Sequence, residues 1–238
     1  MYDTSSVLEV LDQLPLAFLV SGAAVFIGFY AYYIESIRLA KKQKSFTTPV
    51  LGNMVNFAHD IVFISMFSHW FYEIDHIIFK LFWVGLVIYT GMEIIVHIQT
   101  IKYGRQELAP SLTQTQFIVG YIAAQVGVTL IFIFMMSLIP ADDLFLIKFS
   151  LAVICIVVSG FLFNHRRQGR GSSLVQAASL LAGGTVMFFG FLPALSPYFE
   201  NDYYRAAGAV VVLSALLNVI IVWNNGPNSR RRERVLPL

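Results

Sequence analysis

The sequence predicts an all-α polytopic membrane protein: a seven-transmembrane-helix bundle with its N-terminus outside and its C-terminus in the cytoplasm. Hydrophobic residues make up 57% of the 238 positions and charged residues only 13%, whereas a soluble domain contains roughly 25% charged residues. The apolar positions gather into runs of about 20 residues, the length that a helix needs to cross a bilayer. Short polar connections separate these runs, so residues 1–238 are predicted to form a single transmembrane domain.

Each apolar run is bounded by residues that favour a connection. Six prolines lie in or beside the predicted connections, where the missing N–H of proline is best tolerated; they are Pro15, Pro49, Pro110, Pro140, Pro197 and Pro227. The shortest connection, 139–143, predicts an antiparallel hairpin of the fourth and fifth spans. The predicted spans, in order, are about 16–39, 51–71, 77–100, 116–138, 144–163, 175–195 and 206–223.

The basic residues determine the predicted orientation. Thirteen of the 16 lysines and arginines lie at or after the ends of the first, third, fifth and seventh spans. The positive-inside rule places that side in the cytoplasm, and only an odd number of spans preserves the alternation. The first run follows Asp3, Glu9 and Asp12 with no basic residue, unlike a signal peptide, so we expect it to be a true span. The arginines of 230–234 are interpreted as an orientation signal rather than a lipid-headgroup site.

Three acidic residues fall within the predicted spans. An acid at the centre of a span costs about 2.5–3.5 kcal/mol on insertion scales, so each needs a reason. Glu35 precedes Arg38 by three residues, which predicts an interfacial ion pair. Asp60 lies in the middle of the second span and shares a helical face with Asn53 and Asn56. The neighbouring His59 is expected to point about 100° away from that face.

The third acid, Glu93, belongs to a polar stripe in the third span. Tyr89, Glu93 and His97 recur every four residues and therefore share one helical face. Two further spans contribute polar residues at a similar depth, Gln125 and Asn218. We therefore expect Asp60, Glu93 and Asn218 to line one cavity, with Tyr89 and Gln125 at its wall. Such a layer is either a ligand or reaction site or a buried polar network that fixes helix packing.

Other chemistries are disfavoured by the spacing of the polar residues. The five histidines offer no close pair at metal-ligand spacing, so no metal site is expected. A retinal-type photoreceptor would need a lysine deep in the last span, and 206–223 contains none. The sequence has no nucleic-acid-binding motif and no internal repeat.

Three motifs resemble the small integral-membrane terpene cyclases of the pyripyropene and indole-diterpene type, which have bacterial relatives. Asn56-Phe57-Ala58-His59-Asp60 is similar to the family's Asn-x-x-Trp-Glu. Trp83, Glu93 and Lys102-Tyr103-Gly104 resemble its third-span Trp…Asp…Lys-Tyr-Gly pattern. The segment 170–176, Arg-Gly-Ser-Ser-Leu-Val-Gln, resembles the entry to its sixth span and is the most specific of the three. Asn218 is the candidate counterpart of a span-seven aspartate, although an amide cannot donate a proton as an acid does.

The resemblance implies cyclisation of the prenyl chain of a lipophilic, meroterpenoid-like substrate, without a metal or soluble cofactor. Asp60 is expected to protonate an epoxide or alkene, with Glu93 as its charged or hydrogen-bonded partner and Asn56, Tyr89, His97, Gln125 and Asn218 as substrate-binding residues. Membrane lipid would be the other partner, and the location would be a bacterial inner membrane or the endoplasmic reticulum. Two alternatives remain open: a transporter or channel for a small solute or proton, and a non-catalytic membrane binding subunit.

Overall fold

A computed structural model describes residues 1–13 and 16–225. Pro15, Pro227 and the arginines of 230–234 lie outside these described residues. The described part is all-helical, as the composition predicts, with two π-helical turns, His69–Glu73 and Met187–Phe191, and one 3₁₀ turn, Pro197–Glu200. The α-helices are α1 (Thr4–Asp12), α2 (Leu16–Gln43), α3 (Val50–Ser65), α4 (Ile77–Tyr103), α5 (Arg105–Leu108), α6 (Gln114–Leu138), α7 (Leu146–Arg167), α8 (Leu174–Val186), α9 (Leu192–Leu195) and α10 (Asp202–Asn225).

Six helical segments of the described chain are long and apolar enough to cross a membrane. They are α2, α4, α6, α7, α10 and the continuous segment Leu174–Leu195, which joins α8 to α9 through a π-helical turn. These six correspond to every predicted span except the second. The chain is therefore an integral membrane protein by the length and composition of its helices.

The second predicted span, 51–71, is not one continuous helix. Helix α3 has 16 residues, or about 24 Å at about 1.5 Å per residue, which is less than a hydrocarbon core of about 30 Å. The helix is interrupted at Met66 before the π-helical turn His69–Glu73. The indole N–H of Trp70 donates to the carbonyl of Phe63 at 2.7 Å, and the two rings stack with centroids 4.0 Å apart. Aromatic packing thus covers the end of α3.

The short helix α1 was not predicted from the sequence. Asp3 caps its N-terminus by accepting a hydrogen bond from the Ser6 N–H, and Val7 and Leu11 are buried against the bundle. In front of α7, the Tyr2 hydroxyl donates to Asp142 Oδ1 at 2.6 Å. Asp142 also accepts from the Lys148 N–H at 2.9 Å, so the N-terminal segment is fixed to the start of α7.

Close helix crossings determine which polar faces meet. Helix α2 packs mainly on α8, α3 on α7, and α10 on α7 and α8, while α4 and α6 pack beside α3. A Cβ atom on Gly28 would lie 3.1 Å from the Gly183 Cα, so two glycines allow the α2–α8 contact. A Cβ atom on Gly52 would lie 2.9 Å from the Ile156 Cα. Small residues at such crossings are typical of membrane helices.

Candidate active site

Asp60 of α3 and Glu93 of α4 meet inside the bundle. Asp60 is 2% exposed and Glu93 is fully buried. Asp60 follows the start of α3 by ten residues and Glu93 precedes the end of α4 by ten, which at about 1.5 Å per residue places both about 15 Å from the same end. Their carboxyl groups interact directly with each other. The structure therefore places the two acids side by side.

Each carboxyl group has one oxygen without a hydrogen-bond donor. Among the described residues, neither Asp60 Oδ2 nor Glu93 Oε2 has a partner. Two ionised carboxylates only accept hydrogen bonds, and two like charges at this distance repel each other strongly in a medium of low dielectric constant. A proton on one of the two acids supplies the missing donor and removes one charge. The pair can therefore hold one proton between its two carboxyl groups.

His59 is the third member of the site, and the expectation that it points away is wrong. His59 Nδ1 lies 2.7 Å from Asp60 Oδ1, although the two residues are adjacent in α3. The imidazole is 1% exposed, and its Nε2 has no hydrogen-bond partner in the described chain. Four rings surround it with centroids 5.5–6.3 Å away: Phe63, Phe132, Phe145 and Phe149. This packing turns the ring back toward Asp60; His59, Asp60 and Glu93 are called the acid cluster below.

A chain of hydrogen bonds leads from the acid cluster toward the end of α4. The Tyr33 hydroxyl of α2 lies 3.2 Å from Glu93 Oε1 and 2.8 Å from Asn53 Oδ1. Asn53 Nδ2 is 2.9 Å from His97 Nε2, and His97 Nδ1 is 2.8 Å from the Tyr121 hydroxyl of α6. His97 is thus linked to the cluster through Asn53 and Tyr33. The sequence pattern does not mark Tyr33 as a residue of the site, because Tyr33 lies in a run of aromatic residues that contains no polar stripe.

A narrow cavity lies beside Asp60. Its volume is about 30 Å³, enough for one or two water molecules. Asn56 and Tyr89 line it together with Asp60, so three of the predicted site residues share this space. Asn56 Nδ2 donates to the carbonyl oxygens of Gly52 at 2.9 Å and Ala152 at 3.4 Å. The remaining lining is apolar and mostly aromatic: Val25, Phe26, Phe29, Tyr30, Phe82, Leu86, Phe149 and Val153.

The structure does not bring Gln125 and Asn218 to this cavity. Gln125 Nε2 donates to the Met54 carbonyl oxygen at 3.1 Å and braces α6 against α3. Asn218 Oδ1 accepts from Asn164 Nδ2 at 2.6 Å, and the Ser172 hydroxyl donates to Asn164 Oδ1. The expected single cavity lined by Asp60, Glu93 and Asn218 is thus wrong: Glu93 lies beside Asp60 but does not line the cavity, and Asn218 lies elsewhere. Depth along a helix axis does not set which way the helix faces, and α10 packs mainly on α7 and α8.

The motifs that carry the resemblance have mainly structural contacts here. Trp83 Nε1 donates to the Ile64 carbonyl oxygen at 2.9 Å and joins α4 to the end of α3. Ser173 and Gln176 form a capping box at the start of α8, and Gln176 Nε2 donates to the Ser36 hydroxyl at 2.6 Å. A concavity of about 730 Å³ lies beside this motif, and no residue of the acid cluster lines it. Its lining includes three arginines: Arg166, Arg167 and Arg170.

The remaining intramembrane acid is paired. Glu35 accepts from Arg38 Nε at 2.6 Å and from Arg38 Nη2 at 2.7 Å, so the predicted interfacial ion pair is confirmed. Within the described chain, no group of three or more His, Cys, Asp or Glu side chains is arranged to hold a metal ion. Comparisons of the chain with protein-family models, with curated proteins and with solved structures found no match.

Proposed function

We propose that the chain is a membrane-bound terpene cyclase that starts cyclisation of a prenyl chain by proton transfer from Asp60. The observation that carries the proposal is a buried pair of acids with donor-less oxygens, Asp60 and Glu93, beside an aromatic cavity. Asp60 lines the cavity, whereas Glu93 and His59 lie behind it. A positioned acid contributes about 10²–10⁴-fold to a reaction that requires protonation. Asp60 is therefore the donor, and Glu93 the partner that shares its proton.

The cavity lining suits a carbocation. Aromatic faces attract positive charge, and a dry pocket protects a reactive cation from water. Phe26, Phe29, Phe82 and Phe149 supply rings around Asp60, and Tyr30 is held by donating to the Gly85 carbonyl oxygen at 2.6 Å. The cavity of about 30 Å³ is too small for a prenyl chain, so substrate binding requires side chains to move.

An apolar groove on the lipid-facing side of α2 and α4 supplies an entry path. The groove has a volume of about 200 Å³. It shares Phe26 and Phe82 with the cavity beside Asp60, and these two rings contact edge to face with centroids 5.4 Å apart. Its other lining residues are Phe18, Leu19, Gly22, Ala23, Ile78, Leu81 and Phe191. A prenyl chain dissolved in the bilayer would enter here and reach Asp60 by displacing Phe26 and Phe82.

The same proposal includes seven crossings, with α3 and the following π-helical turn as the second. Residues 50–73 together match the length of a span, and the split of basic residues favours a cytoplasmic C-terminus. A reporter fused after Leu238 should be cytoplasmic, and one inserted near Asp142 should be external. An external C-terminus would overturn both the orientation and the number of spans.

The test of the activity uses isolated membranes that contain the protein. Membranes are incubated with linear prenylated aromatic compounds, with and without a terminal epoxide, and the products are analysed by mass spectrometry and NMR. Cyclised products of unchanged mass are expected, because cyclisation neither adds nor removes atoms. In D₂O, initiation at an alkene places deuterium on carbon, whereas initiation at an epoxide places it on an exchangeable hydroxyl. Absence of cyclised product from the whole substrate series would contradict the proposal.

A proton pathway is the second candidate, favoured by the hydrogen-bonded chain from Glu93 through Tyr33 and Asn53 to His97 and Tyr121. Against conduction, the amide of Asn53 interrupts the chain, since an amide does not readily exchange protons as a hydroxyl or imidazole does. Proteoliposomes with a pH-sensitive dye inside separate the two functions. Proton flux without cyclisation supports the pathway, and neither activity supports a non-catalytic binding subunit.

A further inference from the structure

We propose that the acid cluster works as one unit of zero net charge, in which His59 is an imidazolium and the carboxyl groups of Asp60 and Glu93 share a single proton. His59 is then a positioning residue that sets the charge of the two acids. The inference about charge stands on the geometry alone, while its consequence for cyclisation rests on the proposed function.

The hydrogen-bond donors around Asp60 and Glu93 are too few for two carboxylates, which favours one proton shared between the two acids. Tyr33 has a single hydroxyl proton, and its oxygen lies closer to Asn53 Oδ1, at 2.8 Å, than to Glu93 Oε1, at 3.2 Å. Tyr33 therefore leaves Glu93 without a full donor. The donor-less oxygens of Asp60 and Glu93 are both satisfied when one acid donates to the other. With no proton between them the pair would carry two charges at 0–2% exposure.

The surroundings of His59 favour its charged form. Its ring is nearly parallel to those of Phe63 and Phe149, with interplanar angles of 30° and 29°. The negative face of an aromatic ring attracts a cation, so stacking on these two rings favours the imidazolium over the neutral imidazole. On its other side the imidazolium donates from Nδ1 to Asp60 Oδ1 at 2.7 Å. The surrounding rings and the carboxyl group of Asp60 thus both stabilise a positive charge on His59.

Among the described residues, no lysine or arginine forms an ion pair with either acid. The titratable side chains that face the acids from the packed helices are phenols: Tyr30 and Tyr33 of α2 and Tyr89 of α4. A charge that is buried without a partner is strongly unfavourable. The negative charge that the two acids share is therefore balanced by His59, whose Nδ1 contacts Asp60.

If the cluster starts with zero net charge, it carries only one negative charge after it has given its proton to the substrate. At initiation the O–H bond of Asp60 breaks and its proton bonds to the epoxide oxygen, whose C–O bond opens, or to an alkene carbon through the π electrons. The substrate then carries one positive charge and the cluster one negative charge. At termination a C–H bond next to the cation breaks, its electron pair forms an alkene, and the proton returns to Asp60. Without the imidazolium the cluster would carry two negative charges at this stage.

Infrared spectroscopy of the purified protein without substrate tests the charge state. Difference spectra against the double variant Asp60→Asn/Glu93→Gln isolate the carbonyl stretch of protonated carboxyl groups in the cluster. We expect the wild type to show one protonated carboxyl and one carboxylate. His59→Gln keeps a donor beside Asp60 and removes the positive charge, so the second acid should take up a proton and the band should grow about twofold, with loss of the carboxylate band. His97→Gln, the same change at another buried histidine, should leave the band unchanged.

Two protonated carboxyls in the wild type, none, or no difference between the wild type and His59→Gln would overturn the proposal. If His59→Gln does not fold, ¹⁵N NMR of histidine-labelled wild type measures the protonation of His59 directly, and a neutral imidazole overturns the proposal. None of these measurements depends on a substrate. A neutral acid cluster in a protein that forms no cyclic product would therefore refute the proposed activity and leave the charge assignment intact.

Discussion

Two buried polar clusters hold this bundle together, and they differ in how completely their hydrogen bonds are satisfied. In the acid cluster, His59 Nε2, Asp60 Oδ2 and Glu93 Oε2 lack partners within the described chain. The second, called the amide cluster, consists of Asn164, Ser172 and Asn218, which bond to one another across α7, α10 and the start of α8. No buried side-chain oxygen or nitrogen of these three residues lacks a partner among the described residues.

This difference in hydrogen bonding distinguishes a cluster that joins helices from a cluster that can take part in a reaction. A neutral cluster with satisfied donors and acceptors joins helices at little energetic cost, because nothing is left unpaired. A cluster that buries ionisable side chains and leaves some of their atoms unpaired is an expensive way to join helices. Its position beside a cavity therefore favours the proposed functional role. The sequence shows polar residues in both clusters, so their type and depth alone do not distinguish them.

Among the variants that distinguish the two clusters, Asp60→Asn should have the largest effect, a loss of turnover. The amide keeps the shape of the side chain but cannot deliver a proton, so the rate of cyclisation in membranes should fall by at least about 100-fold. The amount of folded protein, measured by size-exclusion chromatography in detergent, should stay near that of the wild type. Near-normal turnover would show that Asp60 is not the donor.

The lipid-facing groove adjoins the cavity beside Asp60 through Phe26 and Phe82, and blocking it should give an effect of intermediate size. Ala23 is exposed in this groove, and Ala23→Trp should raise KM about tenfold, equivalent to about 1.4 kcal/mol, with a smaller change in kcat. Ala124→Trp is a matched control, because Ala124 is exposed on α6 and does not line the groove. Equal kinetics for the two variants would exclude entry through this groove.

The smallest expected effect is on the amide cluster. Asn218→Ala removes the partner of Asn164, so we expect a loss of about 1 kcal/mol in the free energy of unfolding and a decrease in Tm of about 2–4 °C. Turnover should decrease much less than in Asp60→Asn. A loss of activity at unchanged Tm would return Asn218 to the reaction site and contradict the division into two clusters.

The sequence by itself determined what depends on composition and on neighbours along one helix. The low share of charged residues and the apolar runs predicted an all-helical membrane protein, and six of the predicted spans correspond to helices long enough to cross. The Glu35–Arg38 pair followed from a spacing of three residues, since such side chains lie on the same helical face. The stripes holding Asp60 and Glu93 were visible for the same reason.

Only the tertiary structure decided which stripes meet. The rotation of each helix is set by its close contacts, such as Gly28 with Gly183, and these contacts join residues far apart in sequence. They place Glu93 beside Asp60 and leave Asn218 with Asn164. The orientation of His59 had no signal in the sequence either, because four phenylalanine rings from three helices and the α7 N-terminus enclose it. Helical periodicity fixes faces within a helix, whereas packing between helices fixes the chemistry that those faces form.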